Sequence, residues 1–178
     1  MALLPGLVPP HQGDERTLLL DYLTRQRELV LWKLDGLPDE AARRVSSPTG
    51  LTIHGLVRHL ENVERSWIRK HFAGQEGLHF DWTDEDPDGD LHVPDDVRLT
   101  DLLDAYRTEI AHCDAVIAHA GLDQVSVHRD HSLRWVLLHL VEEIGRHMGH
   151  LDLLAELADG RAGEEPEGAP PPGVSPEG

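Results

Sequence analysis

The densest concentration of groups able to do chemistry lies between residues 132 and 157, where the chain reads SLRWVLLHLVEEIGRHMGHLDLLAEL. Leu133, Val136, Leu137, Leu140, Ile144, Leu151 and Leu154 mark an apolar helical stripe, and Glu143 and His147 fall inside it. Four residues apart, these two side chains stack on one helix face about a turn from each other. A carboxylate in an apolar interior is costly unless it is neutralised, paired or bound to a metal. His139 lies one turn before Glu143, and His150 three residues after His147. A second segment, GLVRHLENVERSW, carries His59 on the flank of its own apolar stripe. Two donors from one helix and a third from a facing helix form a metal site within a helical bundle. Two imidazoles and a carboxylate suit a divalent transition metal, and three protein ligands leave positions open for water or substrate. The plainer alternative is an i, i+4 pair of Glu143 with His147, the carboxylate being neutralised by Arg146 or Arg58, with each histidine only packed or solvated.

Positioning those groups requires long helices. Four segments carry helical periodicity. The first spans 15–34 and ends at Gly36 and Pro38, where Pro38-Asp39-Glu40-Ala41 begins a short helical turn. The second starts after Thr52 and stops before Gly74, with Ile53, Leu56, Val57, Leu60, Val63, Trp67 and Ile68 on its stripe. A third starts at Thr100 and runs through Leu103, Tyr106, Ile110, Cys113 and Ile117 to Gly121; the fourth follows Ser132. Strand signals are nearly absent, since Leu91-His92-Val93 and Val125-Ser126-Val127 are too short to build a sheet. The expected fold is all-α, a four-helix bundle over 14–159 in which each stripe faces the other three. Residues 1–13 read as an irregular arm, and 160–178, with few apolar residues to bury, as a disordered tail. The acidic stretch 75–98 is long enough to form a crossover over the end of the bundle.

The chain has 178 residues, with 33 acidic against 16 basic and a net charge of −17. That balance argues against nucleic acid and against anionic membranes, both of which reward cations. One cysteine, Cys113, excludes an internal disulfide and a multi-cysteine metal site. No apolar run approaches the ~18 residues of a membrane span, and the apolar N-terminus lacks the basic region of a signal peptide, so a cytoplasmic location is expected. Thirteen histidines are a heavy load for so acidic a chain. His71, His79, His92, His112, His119, His128 and His131 read as scattered and solvated. Trp32, Trp67 and Trp135 read as core anchors, Trp82 as a cap on the site or cover for a seam, and Cys113 as a small buried hydrophobe. The run from Asp81 to Asp90 lacks the order of a calcium loop and reads as solvated charge.

The run His59-Leu60-Glu61-Asn62-Val63-Glu64-Arg65-Ser66-Trp67 has the pattern HLxxxExxW. Together with the fourth segment it resembles the DinB/YfiT-like superfamily of metal-binding four-helix proteins, over residues 14–158. The branch it most resembles is the actinobacterial one often labelled mini-circle or uncharacterised DinB-family protein. The resemblance implies His59, Glu143 and His147 as ligands of a divalent metal, whether zinc, nickel, iron or manganese. Glutamate before histidine is similar to the mycothiol-dependent maleylpyruvate isomerase branch, whose N-terminal domain is the related part; its further C-terminal domain has no counterpart expected here. His150 stands where many relatives have glutamine. It is expected behind the ligands with Glu64, Arg146 and Asn62, while His139 packs. The implied activity is a thiol S-transferase or isomerase acting on a small electrophile with a low-molecular-weight thiol such as mycothiol or bacillithiol. A homodimer is implied as well. Two other classes stay open: a metal-assisted hydrolase with Glu64 as base, active without added thiol, and a non-catalytic, metal-stabilised, stress-related binding protein.

Overall fold

A computed structural model describes residues 9–10 and 12–163. Most of the proposed arm and most of the proposed tail lie outside the described residues. Helix α1 (Glu15–Leu34) starts where the Asp14 carboxylate accepts from the Thr17 amide at 3.0 Å, and stops before Gly36, whose φ of +69° a residue with a side chain rarely adopts. The short α2 (Asp39–Arg43) follows. Helix α3 (Ile53–Glu64) is capped by the Thr52 hydroxyl, which accepts from the Gly55 amide at 3.0 Å. It continues as a π-helical segment (Arg65–Phe72) where a regular α-helix was expected up to Gly74. After the loop and a 3₁₀ turn (Gly89–Leu91) come α4 (Leu99–Ile117) and α5 (Leu133–Asp159), the last capped by Ser132 and closed by Gly160 at φ +79°. The described residues contain one isolated bridge, Val125 with Ser132, and no strand.

The pairings give the helix directions. Arg134 reaches Glu15 while the Gln26 side chain lies against Gly145, so α5 runs parallel to α1. Arg16 donates to the carbonyls of Ile117 and Ala120, and Arg27 to Asp114, so α4 runs against α1. Arg65 and Arg69 both meet Glu109, and Tyr106 meets Glu64; α3 and α4 therefore lie parallel. Parallel neighbours need a return connection as long as the helices themselves. The 73–98 stretch supplies it by running back along the side of the bundle, where it docks on α3. Asn62 holds Asp81 at 2.8 Å, and Gly55 lies under the Leu91 carbonyl so closely that a Cβ would sit 2.4 Å from that oxygen. The core between the four long helices is built from Leu23, Leu56, Leu60, Tyr106, Leu137, Leu140 and Ile144, all fully buried. No helix among the described residues is long and apolar enough to cross a membrane.

Candidate metal centre

Glu143 and His147 project from the middle of α5 toward α3, which presents His59. Glu143 Oε1 lies 3.2 Å from His147 Nε2 and 3.7 Å from His59 Nε2. One candidate ligand atom from each residue falls within 4.8 Å of the others. Donors bound at ~2.1 Å to one ion lie about 3.0–3.4 Å apart along the edges of a tetrahedral or octahedral shell. The Glu143–His147 edge falls in that range and the Glu143–His59 edge slightly exceeds it, so the donor types suit a divalent cation, with His59 and His147 drawing closer to share it. Side-chain exposures of 22% for His59, 17% for Glu143 and 14% for His147 leave one side reachable by small molecules. The imidazoles of His59 and His147 meet edge to face, with centroids 4.8 Å apart.

His59 is oriented from behind. Its Nδ1 lies 2.7 Å from Oδ2 of Asp90, a carboxylate only 2% exposed. With Nδ1–H donating to Asp90, the Nε2 lone pair is turned toward Glu143 and His147. Burial alone would lower the His59 pKa, but the Asp90 hydrogen bond and the charges of Asp90 and Glu143 outweigh it and hold the group above the ordinary imidazole value. His147 goes the other way: burial and the neighbouring His59 push it down, favouring the neutral form that ligates. Sequence reading placed Asp90 in a solvated charge run. Its one distinguishing local signal is Gly89, which packs against the Asp81 carbonyl where a side chain would clash, and this reads as a docking site only once the loop's course is known.

The other residues singled out have separate settings. His150 Nδ1 lies 3.4 Å from His147 Nδ1, beside the trio. Arg146 is largely exposed and pairs with Glu142 at 3.2 Å. Arg58 faces Asp81 at 3.8 Å. Asn62 ties α3 to the crossover. Glu64 is fully buried on another face of α3, where it accepts from Arg27 Nε at 2.9 Å and from the Tyr106 hydroxyl at 3.0 Å. So committed, it offers no free carboxylate to act as a base at the trio. Cys113 is buried, and burial pushes its thiol up, away from nucleophilic use. Trp82 stacks on Phe80 with centroids 4.9 Å apart. Trp67 is partly buried, but Trp135, expected in the core, is 41% exposed, because position 135 lies on the outer edge of the seam between α3 and α5. His131, expected to be solvated, stacks on that indole, and Nδ1 of His71 is buried without a partner.

The family model for mycothiol S-transferases (MST) matches residues 18–160, which takes in all of the four long helices except the first residues of α1, and both elements of the candidate centre. The chain belongs to this DinB-like family. No curated protein matches it.

Proposed function

We propose that the protein is a metal-dependent mycothiol S-transferase, in which His59, Glu143 and His147 hold a divalent transition metal. The observation that carries this reading is the convergence of the three donors, from two helices and 84 residues apart in sequence (143 − 59), on the fold of a thiol-transferase family. A bound divalent cation supplies Lewis acidity, which lowers the pKa of a thiol and so raises the fraction of nucleophilic thiolate. In the overall reaction the sulfur–hydrogen bond of the thiol breaks, a sulfur–carbon bond forms, and the electrophile's leaving group departs with the proton. The chain's own contribution is positional. Asp90 fixes the tautomer and direction of His59, α5 fixes the spacing of Glu143 and His147, and the partial exposure of all three side chains leaves the centre in contact with solvent. Nickel, zinc, iron and manganese all tolerate this ligand set.

Metal analysis of the purified protein beside His59→Ala and Glu143→Ala tests the site. Near-stoichiometric metal in the parent and its loss from both variants is the expected result; retention by both overturns it. A panel of electrophiles assayed with and without mycothiol or bacillithiol tests the reaction. Product should form only with thiol, and turnover without thiol identifies a hydrolase instead.

A further inference from the structure

A wall of rings extends from the candidate centre along the seam between α3 and α5. His131, Trp135 and His139 recur at every fourth position, and the next two members of the series are Glu143 and His147. Trp135 stacks on His131 with centroids 4.0 Å apart and planes inclined by 20°, and on His139 at 5.1 Å and 16°. From the π-helical segment, Trp67 closes the other side, 4.6 Å from His139 and 5.4 Å from Trp135. At a rise of ~1.5 Å per residue, His139 lies about 6 Å and Trp135 about 12 Å along the helix from Glu143.

Simple packing does not account for this cluster. Among the described residues, no ring nitrogen of Trp67, His131, Trp135 or His139 makes a hydrogen bond, and Nδ1 of the adjoining His71 is buried without a partner. The wall therefore combines apolar ring surface with unspent donors and acceptors. Since His131 and His139 cover the two faces of Trp135, the surface left open is the edge of the stack, which suits a saturated ring bearing hydroxyl groups that bond to the imidazole and indole nitrogens. Arg129 lies over the Trp67 ring at 5.9 Å.

We propose that this wall is the subsite for the sugar or cyclitol ring of the thiol cosubstrate, whose sulfur then lies at the His59–Glu143–His147 end of the seam. The proposal rests on the transferase reading and adds to it the part of the molecule that selects the thiol. Mycothiol fits the one- to two-turn separation, because its cysteine is linked through glucosamine to inositol.

Isothermal titration calorimetry of the metal-stripped protein with glucosaminyl-inositol, which has no thiol, tests the subsite. Saturable binding is expected, weakened about tenfold in Trp135→Leu and in His139→Leu, the loss of one ring contact with its hydrogen bond. N-acetylcysteine should show no such dependence. Helical circular dichroism and melting temperature check that both variants fold. Absence of saturable binding in the parent, or equal affinity in both folded variants, overturns the proposal. So does displacement by a planar aromatic electrophile with no sugar response, which would assign the wall to the electrophile. The titration needs neither metal nor turnover, so its failure is distinguishable from a failure of the transferase reading. Thiol-dependent turnover with an unchanged KM for mycothiol in Trp135→Leu would sink the subsite alone.

Discussion

The bond from Asp90 to His59 is the most consequential single contact at the candidate centre. An imidazole can offer either nitrogen, and without a fixed donor partner His59 would divide between two tautomers and two ring orientations. A 2%-exposed carboxylate at 2.7 Å removes that freedom and raises the basicity of the nitrogen facing Glu143. Asp90→Asn keeps the shape and removes the charge. Its affinity for zinc, measured by chelator competition, is expected to fall about 10–100-fold while helix content is unchanged. Parental affinity in a folded variant would show that the carboxylate only holds the loop. The pairing of Glu143 with His147 was legible from spacing, because i, i+4 neighbours on one helix need no knowledge of the rest of the fold; His59 was singled out from its place on a second apolar helix and from the family resemblance. Asp90 was not, because 31 residues and a loop separate it from His59.

At the scale of elements, helix starts divide into those that are locally encoded and one that is not. Asp14, Thr52 and Ser132 each cap the helix that follows them, and each is readable as a cap. The start of α4 was read at Thr100, yet the helix begins at Leu99. The Leu99 amide donates to Asp39 Oδ1 at 2.7 Å, so the cap comes from α2. The same carboxylate meets His54 Nε2 at 2.9 Å and Arg43 Nε at 2.8 Å, joining α2, α3 and α4 through one side chain. The His54 hydrogen bond, with those of Leu99 and Arg43, holds the Asp39 carboxyl well below the usual carboxylate range. A carboxyl depressed in the folded state adds stability that is fully present above its unfolded value of ~3.9 and is lost as pH falls through the folded value. Asp39→Asn should therefore melt lower than the parent at pH 6. The gap should narrow as the pH falls toward and below 3, in melts followed by circular dichroism. A gap independent of pH would remove Asp39 from the acid limb.

Across the whole molecule, a charged cluster sits where the bundle would otherwise be apolar. Arg27 of α1 is buried between Glu64 of α3, Tyr106 of α4 and the half-exposed Asp114. Burial alone would lower the Arg27 pKa, but Glu64 and Asp114 outweigh it and keep the guanidinium charged; burial next to Glu64 raises Tyr106. Removing one partner leaves an uncompensated charge in the interior, a loss of about 3–5 kcal/mol. Arg27→Met and Glu64→Leu should each lose about that much in urea unfolding, while the double variant recovers a large part of it. Additive losses would mean that the two side chains do not form a unit. The cluster also gives the bundle its register, since one arginine must meet α3 and α4 together.

The linear order of residues was enough for the all-helical class, the extent of α1, the start of α5, the Thr52 cap and the pairing of Glu143 with His147. All of these depend on interactions within about one helical turn, which spacing alone encodes. Tertiary structure decided the parallel course of α3 and α4, the return of the acidic crossover along the bundle, the burial of Asp90, the commitment of Glu64 to Arg27, and the ring wall around Trp135. Each of these joins groups far apart in the chain, and which of many carboxylates or histidines finds a partner depends on which helix faces and which loop the packed core brings together.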